Sequence, residues 1–370
     1  MKKSLLRNLN SLSKFIDLPT PINISYIWNL GSLLGVIISF QVITGLFLVF
    51  YFVARENEAF ESVVIIIREV KFGFFMRFLH LNGASFVFLL IYLHIFKGLL
   101  NRSFIMIYSW LRGNVILILT ILVAFMGYVL PWGNIGFWAA TVITSFISAI
   151  PIFGEVLLNW IWGGFRVRGR TLQFFFTLHY LIPFMILGLA MIHILFLHLN
   201  GSSNPLGSHS FIIKIKFFPI FTSKDLLRVF LTMIVLYMLL IYPYWRTDPE
   251  NFINANRLIS PINIQPEWYF LPFYSLLRSS RRKLGGLILI IFGIFIYWVI
   301  PSFIIQDLKN FKIFLCVNVG FLIVVFLLGW VASWRADSYI SNWLIYLVIL
   351  YFMWWFFIWF IRIIIWSIFE

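Results

Sequence analysis

The stretch RFLHLNGASFVFLLIYLHIFKGLL (77–100) decides the fold. It is apolar enough to cross a bilayer as a helix, for which roughly 20 apolar residues suffice. Yet it carries two histidines, His80 and His94, fourteen residues apart. A second stretch, LHYLIPFMILGLAMIH (178–193), repeats the interval with His179 and His193. On an α-helix fourteen residues rise about 21 Å and end about 40° short of four full turns. Each helix therefore shows two imidazoles on nearly one face at two depths. Glycines keep the same interval: Gly31 and Gly45 lie fourteen apart, as do Gly113 and Gly127.

Outward from this stretch, the chain is 370 residues long, 62% hydrophobic and 11% charged. Soluble domains are about 25% charged, so this is a membrane composition. Eight apolar stretches are predicted to span, near 25–53, 72–100, 111–131, 171–199, 226–245, 284–304, 311–332 and 341–364. An even number puts both termini on one side. The second and fourth spans of such a serpentine run in the same direction, so His80 is expected opposite His179, and His94 opposite His193. The predicted architecture is an all-α membrane protein of eight transmembrane helices, whose first four form a bundle with two stacked bis-histidine sites. Glycines at the depths of the histidines leave room for a large flat group, which points to a haem-binding four-helix bundle. Zinc or copper on bare imidazoles is the rival, but it leaves the glycines without a reason.

Two apolar segments, 131–165 and 258–278, are broken by proline, glycine or both and read as interfacial amphipathic helices. The polar connector HLNGSSNPLGSHS (198–210) divides the chain into an N-terminal domain, 1–205, and a C-terminal domain, 206–370. The opening MKKSLLRNLNSLSKF reads as an amphipathic surface helix, with a transit peptide as the alternative. Net charge is +15, but the basic residues gather at span ends and loops, where lipid head groups lie; this argues for a bilayer partner and against nucleic acid. Lys and Arg divide evenly between the two sides, so the positive-inside rule does not orient the chain. Cys316 is the only cysteine, which excludes a four-cysteine iron–sulfur site and thioether attachment of haem within this chain. A histidine-relay transporter and a haem–copper oxidase subunit are the competing functions. The oxidase needs further histidines for copper, and only two of the six stand outside the ruler.

The segments FIDLPTPINISYIWNLGSLLG, RFLHLNGASF, GYVLPWG, FWAATVIT, SAIP, WIWGGF, LFLHLNGSSNPLG and PEWYFLPFYSLLR together resemble the cytochrome b family of the ubiquinol–cytochrome c reductases. The resemblance runs from about residue 15 to the last span and is mainly hydropathic after about 290. It implies two non-covalent haem b groups, a low-potential one on His80 and His179 and a high-potential one on His94 and His193. Gly31, Gly45, Gly113 and Gly127 would pack against them, with Arg77 and Lys97 reaching their propionates; the family usually has arginine at the latter position. It implies an outer quinol site at Phe125, Tyr128, Ala139, Pro266, Glu267 and Tyr274, with Glu267 as proton acceptor. It also implies an inner quinone site at His198, Ser202, Lys224 and Asp225. Where this chain has Ala139, the family most often has glycine. Ubiquinol and ubiquinone are the implied substrates. The implied partners are a Rieske-type iron–sulfur protein, a cytochrome c1-type subunit and further subunits of a dimeric complex. The implied location is the mitochondrial inner membrane with matrix-side termini; a bacterial plasma membrane is the alternative.

Overall fold

An apolar run surrounded by lipid must satisfy its own backbone groups, and the α-helix does so within one segment. The long apolar runs of this chain are accordingly helices. The computed structural model describes residues 18–206, 213–245, 247–303, 311–335 and 337–369. The predicted N-terminal surface helix lies outside them. Among the described residues there are twelve α-helices: α1 Leu30–Val49, α2 Ala59–Arg68, α3 Gly73–Leu100, α4 Ile107–Val129, α5 Asn134–Ser145, α6 Gly154–Trp162, α7 Gly169–Asn200, α8 Ile220–Leu239, α9 Leu271–Arg278, α10 Lys283–Phe303, α11 Phe311–Ala332 and α12 Ser338–Phe369. A two-stranded antiparallel ribbon, β1 Pro19–Pro21 with β2 Lys214–Lys216, adds a small β element that the all-α expectation lacked. It pairs the entry to α1 with the approach to α8.

Among the described residues, six helices are long and apolar enough to cross a membrane: Tyr26–Val49, Gly73–Leu100, Ile107–Val129, Gly169–Asn200, Lys283–Pro301 and Tyr339–Phe357. The other two predicted spans differ. The stretch expected at 226–245 is helical over Ile220–Leu239 instead. It begins just after Pro219 and takes Lys224, Asp225 and Arg228 into its first turns. The apolar stretch contains Arg228 and has Lys224 and Asp225 just before it; the helix starts earlier and takes in all three. Their partners are distant in sequence: Asn29 and Ser32 on Asp225, and the Tyr26 ring under Lys224 and Arg228. The seventh stretch is helical over Phe311–Ala332, and its apolar part among the described residues is Asn318–Ala332.

Three of the buried clusters among the described residues hold most of the helices together. One joins α1, α3, α4 and α8 through Leu33, Ile37, Leu90, Leu117 and Leu236. A second packs α4 on α7 and α5 through Met126, Val129, Phe137, Leu172 and Phe175. The third ties the ends of α3 and α4 to α9–α12 through Leu99, Trp110, Leu276, Ile300, Phe321 and Trp355.

Proline shapes two of the long helices. Pro301 lacks the N–H that would bond the carbonyl of Tyr297 one turn back. Trp110 Nε1 and Asn114 Nδ2, one turn apart on α4, donate to that carbonyl at 2.6 and 3.0 Å. Pro183 stands in the same relation to His179 within α7. The segment 131–165 folds into α5, a 3₁₀ turn at Phe146–Ala149 and α6. Gly163 ends α6 at φ 65°, a left-handed conformation suited to glycine, while the N–H of Gly164 returns to the Asn159 carbonyl at 3.0 Å.

Candidate functional site

The direction of the helices can be read from the glycines. A Cβ built on Gly31 would lie 3.3 Å from the His94 imidazole, and one on Gly45 would lie 3.0 Å from that of His80. Thus α1 runs antiparallel to α3. On the other side, a Cβ on Gly113 would lie 3.6 Å from His193, while one on Gly127 would run into His179. Thus α4 runs antiparallel to α7. Each glycine is the place where a neighbouring helix makes room for an imidazole.

Between these two helix pairs, α3 and α7 run in the same direction. The ring centroids of His80 and His179 lie 6.2 Å apart, and those of His94 and His193 lie 6.3 Å apart. An imidazole nitrogen sits about 1.1 Å from its ring centre and a metal–imidazole bond is about 2.0 Å long. Two rings holding one metal in line therefore have centroids about 6.2 Å apart. The spacing fits a bis-imidazole metal at both depths. Among the described residues, no group of three or more His, Cys, Asp or Glu converges as a metal site. Among the described residues the donor set is two imidazoles per level. A four-coordinate zinc site needs more, whereas a haem brings its other four nitrogens with it.

Neighbours set the ring tautomers. The Nδ1 of His179 lies 2.8 Å from the Val123 carbonyl, which can only accept, so this nitrogen carries the proton. The Nδ1 of His80 lies 3.0 Å from Thr44 Oγ1. That hydroxyl lies 2.9 Å from the Phe40 carbonyl and 3.1 Å from the Gln41 carbonyl, to which it donates; it thus accepts from His80. Both arrangements leave Nε2 with a lone pair for a metal. His193 Nδ1 is buried with no hydrogen-bond partner.

The His80–His179 pair opens onto a cavity of about 240 Å³ lined by Arg77, His80, Tyr128, His179 and Glu267, together with Gly45 and Gly127. Glu267 reaches it because the turn Trp268–Phe270 docks on α3. Tyr269 stacks on Phe88 with ring centroids 4.2 Å apart and planes 2° apart. Tyr92 donates to the Tyr269 carbonyl, and Trp268 Nε1 donates to Ser85 Oγ at 3.3 Å. Ser85, Phe88 and Tyr92 are residues that pattern reading missed; their spacing of three and four along α3 was the available signal. Burial pushes the Tyr269 phenol well above its ordinary pKa, and the nearby Glu267 adds to the shift, so it stays protonated.

The other residues expected at an outer quinol site lie outside this lining. Phe125 packs against Phe175 with centroids 5.8 Å apart. Ala139 is buried within α5. The Tyr274 hydroxyl donates to the Ile264 carbonyl at 3.3 Å, and its ring packs with Leu271, Ala332 and Leu344. Neither these three nor Pro266 lines the cavity that Tyr128 and Glu267 share.

At the other end, Asp225 accepts from Asn29 Nδ2, and from Ser32 Oγ at 2.7 Å. Lys97 lies 4.5 Å from the Trp28 ring centre and donates to Ser203 Oγ at 3.3 Å. Ser203 also takes the Trp28 indole N–H at 3.3 Å and faces Ser103 Oγ at 3.1 Å. Ser203 thus belongs to this hydrogen-bonded cluster, and Ser202, the residue expected at the inner quinone site, directly precedes it in the chain. Lys224 lies over the rings of Tyr26 and Phe221, and His198 is half-buried near the end of α7. Asn29 and Ser32 were missed because nothing in their local sequence points to Asp225.

Comparison with known proteins agrees with this arrangement. Residues 15–201 match the family described as cytochrome b/b6/petB, and residues 254–357 match cytochrome b (C-terminal)/b6/petD. A solved chain titled "Hyperthermophilic respiratory Complex III" superimposes with a TM-score of 0.91 at 26% identity, covering 98% of each chain. The first family match alone takes in half of the sequence, both histidine pairs and all four glycines, so the chain belongs to the cytochrome b/b6 family.

Proposed function

We propose that this chain is the di-haem electron-transfer subunit of a quinol–cytochrome c reductase, oxidising quinol at an outer site and reducing quinone at an inner one. The observation that carries the reading is the pair of imidazole pairs at 6.2 and 6.3 Å, each ring met by a glycine of the adjoining helix. His80 and His179 would hold a low-potential haem b, His94 and His193 a high-potential one. Such groups, when bound, supply one-electron carriers at two depths. The residues around them do the rest. Arg77 in the outer cavity and Lys97 at the other level would serve as propionate partners. Val123 and Thr44 orient the outer imidazoles.

At the outer cavity Glu267 would take the proton of a quinol hydroxyl on its carboxylate, with Tyr128 beside it as a wall. Phe125, Ala139, Pro266 and Tyr274 would act around this centre. At the inner end His198 and Asp225 would bond the two quinone oxygens, Asn29 and Ser32 holding the Asp225 carboxylate in place and Lys224 balancing its charge. The chain has one cysteine, too few for an iron–sulfur cluster, so a Rieske-type protein would take one of the two electrons and pass it to a cytochrome c1-type subunit, the other going to the haems. The 26%-identical chain of a respiratory Complex III supports such an assembly, here read as dimeric. The two family matches support reading the chain as an N-terminal haem domain to about 205 and a C-terminal domain from 206. The same reading places the chain in the mitochondrial inner membrane with matrix-side termini.

The test is a dithionite-reduced spectrum of purified complex, resolved by redox titration. Two b-type components are expected, and His94→Leu or His193→Leu should remove the higher-potential one. Retention of both in either variant would refute the pairing.

A further inference from the structure

The 32-residue helix α7, which carries His179 and His193, has a poor start. A helix N-terminus presents unpaired N–H groups and partial positive charge, so it favours a side-chain oxygen at the capping position and acidic residues in the first turn. Here the capping position is Arg168, whose side chain only donates. Arg166 and Arg170 flank it, all three are exposed, and the first turn holds no acid. Thr171 accepts from the Arg168 N–H at 3.1 Å and donates to the Trp162 carbonyl at 2.9 Å, which anchors the turn but leaves the first N–H of the helix unserved.

That N–H belongs to Gly169, and it donates to Glu56 Oε2 at 3.1 Å. Glu56 lies 113 residues earlier, in the connector between α1 and α2. Its other oxygen, Oε1, is paired with the guanidinium of Arg257. Arg257 sits on the strip of chain leading to Glu267, whose backbone is stitched to Trp132–Trp138. Asn134 N–H donates to the Ile253 carbonyl at 2.8 Å, Ala255 N–H to the Trp132 carbonyl at 3.0 Å, and the Trp138 indole to the Asn256 carbonyl at 3.0 Å. One half-buried carboxylate thus joins the start of the histidine helix to the strip that supports the outer cavity.

Its importance for α7 follows from Pro183. Without an N–H, Pro183 returns no hydrogen bond to His179, so the part of α7 above the proline is joined less firmly to the part below. The orientation of the upper part, and of His179 in it, then depends on how residue 169 is held. His193 lies below the joint.

We propose that Glu56 is a positioning residue: it caps α7 from another segment in place of Arg168 and thereby sets the orientation of His179 in the outer bis-histidine site. This rests on the haem reading above. The experiment uses the whole complex in native membranes, with low-spin haem signals by electron paramagnetic resonance and midpoint potentials as readouts. Two low-spin signals in the unaltered protein are the precondition; their absence would overturn the haem reading itself, whatever Glu56 does. Given both signals, Glu56→Ala should displace the outer signal and shift its midpoint while leaving the inner pair as it was. Glu56→Gln keeps an oxygen for the Gly169 N–H and should retain the outer signal's position, its midpoint rising because a negative charge has gone. Adding Arg168→Asp to Glu56→Ala supplies a local cap and should restore the outer signal, or restore assembly if the single variant does not assemble. An unchanged outer signal in Glu56→Ala, an equal displacement in Glu56→Gln, or no recovery in the double variant would each overturn the proposal.

Discussion

At Gly127 a methyl group would collide with the His179 imidazole, whereas at Gly113 it would rest 3.6 Å from His193, an ordinary contact. Gly45 and Gly31 fall between, at 3.0 and 3.3 Å. Alanine substitutions should therefore grade in effect. Overpacking a fitted site costs about 1–3 kcal/mol, and about 1.4 kcal/mol is a tenfold change in occupancy. Gly127→Ala is expected to lower or displace the outer haem component by reduced spectrum, with Gly113→Ala close to the unaltered protein. Equal effects at both positions would remove steric contact as the reason for these glycines. The carboxylate gives a second prediction. Glu267→Gln keeps the shape of the side chain but not its capacity to take a proton. Quinol oxidation should fall tenfold or more, on the order of a positioned general base's contribution. Haem reduction entered from the inner site should persist. Full turnover in the Gln variant from pH 6 to 8 would rule out the assigned role.

On the scale of elements, α4 and α10 are joined through one carbonyl. Trp110 and Asn114 both donate to Tyr297, whose usual helical donor Pro301 cannot supply. Either donor alone satisfies the group, so Trp110→Phe or Asn114→Leu should each cost little through hydrogen bonding. The double variant leaves a buried carbonyl unpaired, which costs about 1–3 kcal/mol. A loss in thermal stability of the detergent-solubilised complex greater than the sum of the singles is the expected signature; strict additivity would mean the carbonyl finds another donor. This joint also marks where sequence reading stops. The histidine and glycine intervals were legible because helix geometry converts spacing into depth and face. Pro301 was visible too, but not that two residues 187 and 183 positions away serve the carbonyl it frees. Thr44 and Ser203 were hidden in the same way, and so was the start of α8, because a side-chain partner across the bundle leaves no period in the chain.

For the molecule as a whole, both histidine pairs lie before the connector at 198–210, and packing rather than chain continuity joins the C-terminal helices to α3 and α4. Residues 1–206 and 207–370 produced as separate chains in one cell should therefore co-purify with both haem components. Recovery of the first piece alone, still carrying both, would show that the C-terminal helices contribute no retention. The last consequence concerns α3. Its Ser85, Phe88 and Tyr92 receive the turn that bears Glu267, and His80 stands five residues before Ser85 on the same rod. The carboxylate and the imidazole are thus surveyed from a single datum: in the proposed function, the place a proton would go and the place an electron would go are both fixed by α3.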